Sequence, residues 1–529
     1  MLTHVTIFLC ADRFRKASLV VNDGAKSPWT SRRAQHRWRL WGKFLAAGLW
    51  AGILSTASDA LGEDAGRSSA PALNSAAADS SDSAEAYPEL RAVISYKIAM
   101  SPHAGAHQLD RDIQTAQQRV REASEPRPFL EQLGWLYVAK ARQSSDEGFY
   151  KLAEHCALAL EATEPGNPDA LLLRGHVLIS LHHFTEAEAI ASQLVRQRTL
   201  PFDYGLLGDA LTEQGRLAEA VAAYQRMVDL RPDLQSYSRV AYMRWLKGDL
   251  DGAIDVACLA AGAASPLDPE SASWTLTRLA LYYFQAGLVA QAEVARDSAL
   301  RFTPDYPSAL LLKSRMLLDA DRVGEAVEPL KRATEINPLP EFQWALADTL
   351  RAAGRAEEAA KVESDLARTG AQGDPRTFAL FLATRGEQAE RAVQLVRREL
   401  QARADIFTHD ALAWALAAAG RIEEAQAHME RALAEGTEDA RLFTHAAVIA
   451  ARLGRTAEAG SWLVKARGLQ RCLLPSERQQ LAATLAALAM SREARSISPT
   501  RTQTTSAGES QVAEASPKTK TKPGETNEN

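Results

Sequence analysis

The stretch YGLLGDALTEQGRLAEAVAAYQRMVDLRP, Tyr204 to Pro232, sets Gly208, Ala220 and Pro232 twelve residues apart, with Gly215 between the first two. Its apolar residues form two amphipathic helical patterns on either side of Gln214–Gly215–Arg216, which reads as a helical hairpin. A hairpin of this size cannot bury its apolar faces alone, so the stretch predicts neighbours of its own kind.

The neighbours are present. In phase with Ala220 stand Ala153, Ala187, Ala253, Ala292, Ala326, Ala359, Ala392, Ala425 and Ala459, 33 or 34 residues apart except for the 39 between Ala253 and Ala292. Four residues after this reference fall Ala157, Tyr224, Ala257, Leu330, Val396, Met429 and Leu463, which places small or apolar side chains on one face of a second helix. Five before it stand Gly215, Gly248, Gly287, Gly354, Gly420 and Gly454, between the helices. Twelve before it, Gly175, Gly208, Ala241, Ala280, Ser314, Ala347, Ala413 and Ala447 let the two helices approach. Twelve after it, Pro165, Pro232, Pro304 and Pro338 end the second helix.

This pattern resembles the tetratricopeptide repeat, whose small residues at positions eight and twenty, aromatic at twenty-four, alanine at twenty-seven and proline at thirty-two appear nearly whole in the quoted stretch. The resemblance implies an all-α, right-handed superhelical solenoid of about ten helical hairpins over residues 127–473. Extra residues are expected between the helices of the first repeat, in the QSSDEGFY stretch ending at Tyr150, and near Ser265 to Glu270 at the fourth-to-fifth join. The eighth repeat departs most, with Leu380 at the small position and Glu399 at the alanine position. A helical N-terminal cap is expected over 87–126 and a C-terminal capping helix over 474–490, with a disordered tail at 491–529 that lacks the apolar residues to offset ordering entropy.

The net charge of −5 is unevenly spread. Residues 1–60 hold nine Lys/Arg against three Asp/Glu, leaving 52 against 63 elsewhere, a net of −11 that argues against a nucleic-acid partner. Arg32 to Ala60 has the order of a signal peptide: a basic segment, an apolar run from Phe44 to Leu54, then Ser58 and Ala60 before a cleavage point. The expectation is a periplasmic or cell-envelope protein of a bacterium, with an uncleaved N-terminal anchor as the alternative and a disordered linker over 61–86. The cysteines, Cys10, Cys156, Cys258 and Cys472, form no CxxC pair and no metal-ligand spacing.

In tetratricopeptide arrays the first helix of each repeat lines a concave face through positions two, five, nine, twelve and thirteen. The resemblance carries these onto Trp135, Phe202, Tyr242, Trp245, Trp274, Phe284, Trp344, Phe381, Phe407 and Trp414, with Asp209, Glu213, Arg315, Asp348 and Arg351 as polar contacts. Half of the ten tryptophans are in this set, which implies an aromatic groove for a protein or peptide segment, or alternatively for glycan rings. Packing against neighbouring repeats or a terminal segment is the competing reading. Position nine holds no asparagine in any repeat, which sets aside the carboxylate-clamping and asparagine-ladder subfamilies.

No Walker loop, GxSxG or HExxH motif is present, and no cofactor is expected. His103 and His107, with Asp110 and Asp112 nearby, are the candidate for a metal-dependent enzyme subunit. The leading expectation is a non-catalytic protein-binding scaffold or assembly factor. A polysaccharide-binding module in surface-glycan export is the alternative, with membrane contact only through an uncleaved N-terminal segment.

Overall fold

The computed structural model describes residues 88–497 apart from Ser145. The signal-like segment, the linker and the last 32 residues lie outside the described residues. Among the described residues the structure is all helical. Two helices lead, α1 (Pro88–Ala99) and α2 (Gln108–Glu122). Repeats one to five follow as α3 (Arg127–Ser144) with α4 (Gly148–Thr163), α5 (Pro168–Ser180) with α6 (Phe184–Gln197), α7 (Pro201–Glu213) with α8 (Leu217–Leu230), α9 (Leu234–Leu246) with α10 (Leu250–Gly262), and α11 (Pro269–Gln285) with α12 (Val289–Phe302). Repeats six to ten are α13 (Pro307–Asp319) with α14 (Val323–Ile336), α15 (Pro340–Ala352) with α16 (Ala356–Gly373), α17 (Pro375–Arg385) with α18 (Ala389–Ala402), α19 (Ile406–Ala418) with α20 (Ile422–Leu433), and α21 (Ala440–Arg452) with α22 (Thr456–Gly468). A 3₁₀ turn at Gln470–Cys472 leads into α23 (Pro475–Ile497), which runs seven residues beyond the end the sequence predicts.

The quoted stretch is repeat three, and its spacing has a direct physical cause. A side-chain carbon at Gly208 would run into the Tyr224 ring, so the small residue admits the aromatic of the second helix. Tyr224 is buried, its hydroxyl donating to Asp209 at 2.8 Å and lying 3.1 Å from the Thr212 hydroxyl. Ala220 is fully buried between the two helices. Pro165, Pro232, Pro304 and Pro338 each stand two residues past the end of α4, α8, α12 and α14. Six of the ten first helices open on carboxylate or amide caps: Asp233, for instance, accepts from the Ser236 amide at 3.1 Å, and Asp405 from that of Thr408 at 2.6 Å.

The first insertion is taken up as helix, whereas the second is divided between a turn at 265–268 and a lengthened α11. α3 reaches 18 residues and α11 reaches 17, against 13 for most first helices. In repeat eight Leu380 is buried and α17 is shortened to 11 residues.

The superhelix turns tightly enough for successive turns to touch. The turn between α7 and α8 meets the loop before α19: a side-chain carbon at Gly215 would strike the Ala404 carbonyl oxygen, and Arg403 Nε lies 2.5 Å from Glu213 Oε2. One repeat on, Gly248 meets the Gly436 carbonyl in the same way, Lys247 pairs with Glu435, and the Thr437 hydroxyl donates to the Leu246 carbonyl. Gln285, at the end of α11, donates to the Glu438 carbonyl. A repeat therefore stacks on the one six places further along. The capping helix enters the same seam: Ser476 donates its amide to Asp348 at 3.1 Å, and Arg478 donates to the Leu318 carbonyl at 3.3 Å.

Candidate ligand-binding face

The tight winding decides what the inward side chains can do. Trp245 stacks with Phe407 of repeat nine at 5.9 Å and 18°. Arg441 of repeat ten stands over the Trp344 ring, 5.2 Å from its centroid, and Trp344 also meets Phe381 edge-on at 6.1 Å. Trp414 lies flat on His445 at 4.1 Å and donates its Nε1 hydrogen to the Thr384 hydroxyl at 3.0 Å. Trp245, Phe284, Trp344, Phe381, Trp414 and Asp348 are all buried. The expectation of an aromatic groove open along the whole array is thereby corrected: Trp245 and Phe284 of repeats four and five, with Trp344, Phe381 and Trp414 of the later repeats, are buried against other parts of the array. The competing reading, packing against other repeats and a terminal segment, holds for these six.

The polar candidates are engaged in pairs. Asp209 accepts two hydrogen bonds from Arg239, at 2.8 and 2.6 Å, besides that of Tyr224. Arg351 grips Glu363 with bonds of 2.8 and 2.5 Å, and Arg315 reaches Glu341 at 3.5 Å. Glu213 belongs to an ionic seam in which Asp405 takes both Arg403, at 3.2 Å, and Arg376, at 2.9 Å. Burial opposes the charge on Asp405, and Arg376 with Arg403 outweighs it, leaving this carboxyl below its ordinary range.

The accessible remainder lies in the first five repeats. Phe202 is 44% exposed, with Arg231 5.4 Å from its ring centroid, and Trp274 is 38% exposed. Trp135 and Tyr242 are half-buried. Trp135 rests against His176, centroids 5.5 Å apart. His176 Nε2 stands 2.6 Å from Arg142 Nη2; burial, and then the Arg142 charge, lower its pKa to about 3, so the ring is neutral and accepts from the guanidinium. Arg142 also reaches Glu270 at 3.6 Å. That contact brings the end of α3 to the start of α11, with Trp135 two turns before it and Trp274 one turn after it.

The His103 cluster is structural. His103 Nε2 lies 2.9 Å from Asp110 Oδ1, the same oxygen takes Lys140 at 2.7 Å, and Asp110 Oδ2 accepts the His107 amide at 3.1 Å. Burial works to raise the Asp110 carboxyl, but Lys140 and His103 outweigh it and lower it to about 2. Among the described residues no group of three metal-ligating side chains converges, and no helix is long and apolar enough to cross a membrane. Cys156 and Cys258 are buried and Cys472 half-buried, none of the three in a disulfide among the described residues.

Sequence reasoning passed over Arg278 of α11, whose guanidinium sits 5.0 to 5.3 Å from the ring centroids of Tyr242, Trp245 and Tyr282. The stretch WTLTRLALYYF holds the signal, an arginine one turn after a tryptophan and one before a tyrosine. Position six is not one of the groove positions, which is why it was missed.

The family model described as tetratricopeptide repeat matches residues 174–234, 206–269, 277–339 and 411–470. No curated protein sequence matches the chain. Among solved structures, the human IFIT1 dimer with m7Gppp-AAAA is 16% identical, covering 61% of this chain and 76% of that one, with a TM-score of 0.42. TTC0263, a thermophilic TPR protein of Thermus thermophilus, is 19% identical over 36% of this chain and 99% of its own, with a TM-score of 0.32. The APC/C hetero-tetramer Cut9–Hcn1 is 12% identical over 76% and 95%, with a TM-score of 0.31.

Proposed function

The chain is a tetratricopeptide repeat protein, a repeat scaffold for protein interactions, and from that premise we propose that it binds an extended segment of a partner protein along the concave face of its first five repeats. The observation that carries this reading is the division of the inward aromatics. Trp245, Phe284 and most of those in the later repeats are buried within the superhelix, whereas Trp135, Phe202 and Trp274 keep accessible surface beside Arg142 and Arg231. Accessible aromatics flanked by guanidinium groups suit apolar side chains interspersed with polar ones. The role is non-catalytic, as is usual for such scaffolds, and the basic-then-apolar order of Arg32 to Ala60 supports an exported, envelope-located protein.

Crosslinked affinity purification from native cells tests the reading. The full chain is compared with a Trp135→Ala, Trp274→Ala variant, which truncates only partly exposed side chains and so retains the helical fold by circular dichroism. A specific protein recovered with the wild type and lost from the variant is the expected result. Recovery of the same proteins with both rejects this face, and recovery of the native chain in the cytoplasmic fraction rejects export.

A further inference from the structure

Residues 470–478, QRCLLPSER, lie on the inward face of the array as a bound segment would. The 3₁₀ turn at Gln470–Cys472 packs on α11 and α13, and the start of α23 on α15, so the segment crosses the first helices of three successive repeats. Its contacts fall on the inward positions. Arg471 stands 5.8 Å from the Phe284 ring centroid near the end of α11. Arg478 donates to the Leu318 carbonyl at 3.3 Å and reaches Asp319 at 3.8 Å, positions twelve and thirteen of repeat six. Ser476 gives Asp348, position nine of repeat seven, both its amide, at 3.1 Å, and its hydroxyl. Between these, Leu474 is 2% exposed within the principal core, whereas Leu473 clusters with Ala440 and Phe443 of repeat ten.

Capping repeat ten requires only that α23 pack on α21 and α22, as it does. The inward contacts of Arg471, Leu474, Ser476 and Arg478 are additional to that task. Arg478 also donates to the carbonyls of Gln470, Arg471 and Leu473, at 3.0 to 3.2 Å, so the segment carries a shape of its own. A loop fixed in this way offers its leucine and its charges at little ordering cost, which is what an extended or looped ligand needs. One buried leucine and a few polar bonds hold it to the face, and another chain can supply each of them.

We propose that the inward face of repeats five to seven is a segment-binding surface of its own, occupied in cis by residues 470–478 and open to a partner segment of the same chemistry, a leucine anchor with a serine beside it and an arginine on either side. The surface stands apart from the reading of the first five repeats, whose accessible aromatics it does not use. A tethered segment competes at an effective concentration of about millimolar, so the face stays shut to weak ligands and yields to one that binds better than the internal copy.

The test uses the full chain and a labelled peptide of residues 468–480 carrying Cys472→Ser, read by fluorescence anisotropy. The Arg471→Ala, Ser476→Ala, Arg478→Ala variant loosens the internal segment while Leu473, Leu474 and Glu477 still hold the cap, and circular dichroism checks its helix content. It should bind the peptide at least about tenfold more tightly than the wild type, because the face is free for a larger fraction of the time. Asp348→Ala in that variant, and Ser476→Ala in the peptide, should each weaken binding about fivefold, the pair costing less than the product of the two. Hydrogen exchange of the unsubstituted chain is the second readout: excess peptide should speed exchange of the Ser476 amide and leave α21 protected. Equal affinity of wild type and variant, whether measurable or absent, overturns the proposal, and so does a Ser476 amide whose exchange the peptide leaves unchanged. Peptide binding that survives Asp348→Ala but falls with Trp135→Ala assigns the peptide to the first five repeats and overturns this surface alone.

Discussion

Gly248 and Gly420 occupy equivalent turns of their repeats, with φ of +74° and +79°. Their surroundings differ: a side-chain carbon at Gly248 meets the Gly436 carbonyl, whereas one at Gly420 has nothing within 4 Å. Gly420→Ala should therefore cost only the left-handed backbone penalty, about 1 kcal/mol, while Gly248→Ala adds the separation of two turns and should cost about 2–4 kcal/mol. Equal shifts in urea midpoint for the two variants would show that the contact contributes nothing. Asp348 offers a pH-dependent counterpart. Burial lifts its carboxyl to about 6 despite the hydrogen bonds from Ser476, with Glu477 and Glu363 adding to the rise. The folded state thus keeps a proton that the unfolded chain releases near about pH 4, so this group's stabilising contribution falls as pH rises from about 4 to about 6 and stays lost above that. Asp348→Asn should raise stability by about 1–2 kcal/mol at about pH 7.5 and leave it nearly unchanged at about pH 4. Denaturation midpoints at the two pH values decide this, and destabilisation at the higher one would contradict it.

At the level of the helix, what could be read in advance depended on distance along the chain. Gly208 against Tyr224 and Pro232 past the end of α8 are relations within one hairpin, and a period of 33 or 34 residues displays such relations repeatedly. The insertions were visible as interruptions of that period, but the share of each that becomes helix was not, because residues that continue a helical pattern lengthen α3 and α11 without a signal of their own. The inward aromatics were legible as a set and illegible as a site. Whether Trp344 faces solvent or Arg441 depends on how tightly the solenoid winds, and that sums small rotations over several joins. No local pattern reports that sum. Arg278 was missed for a different reason: it stands at position six, outside the groove positions, and the three rings around it come from two helices, α9 and α11.

For the molecule as a whole, the seam changes how it should unfold. An open repeat array holds only nearest-neighbour interfaces and can lose its repeats piecemeal. Here Lys247–Glu435, Thr437–Leu246, Gln285–Glu438 and Ser476–Asp348 join residues 128 to 191 positions apart. Urea unfolding of the wild type followed by far-ultraviolet circular dichroism and by tryptophan emission should therefore give coincident transitions. The Lys247→Ala, Arg403→Ala variant, which breaks two ion pairs of the seam, should separate them. Divergent transitions in the wild type, or coincident ones in the variant, would mean that the seam does not couple the halves.

The same seam imposes an order of events on the ribosome. Translation runs at about 5–20 residues per second, and Glu435 follows Lys247 by 188 residues. Each newly made chain thus passes about ten to forty seconds with the rim of its third and fourth repeats finished and uncovered, waiting for the loops that will close on it.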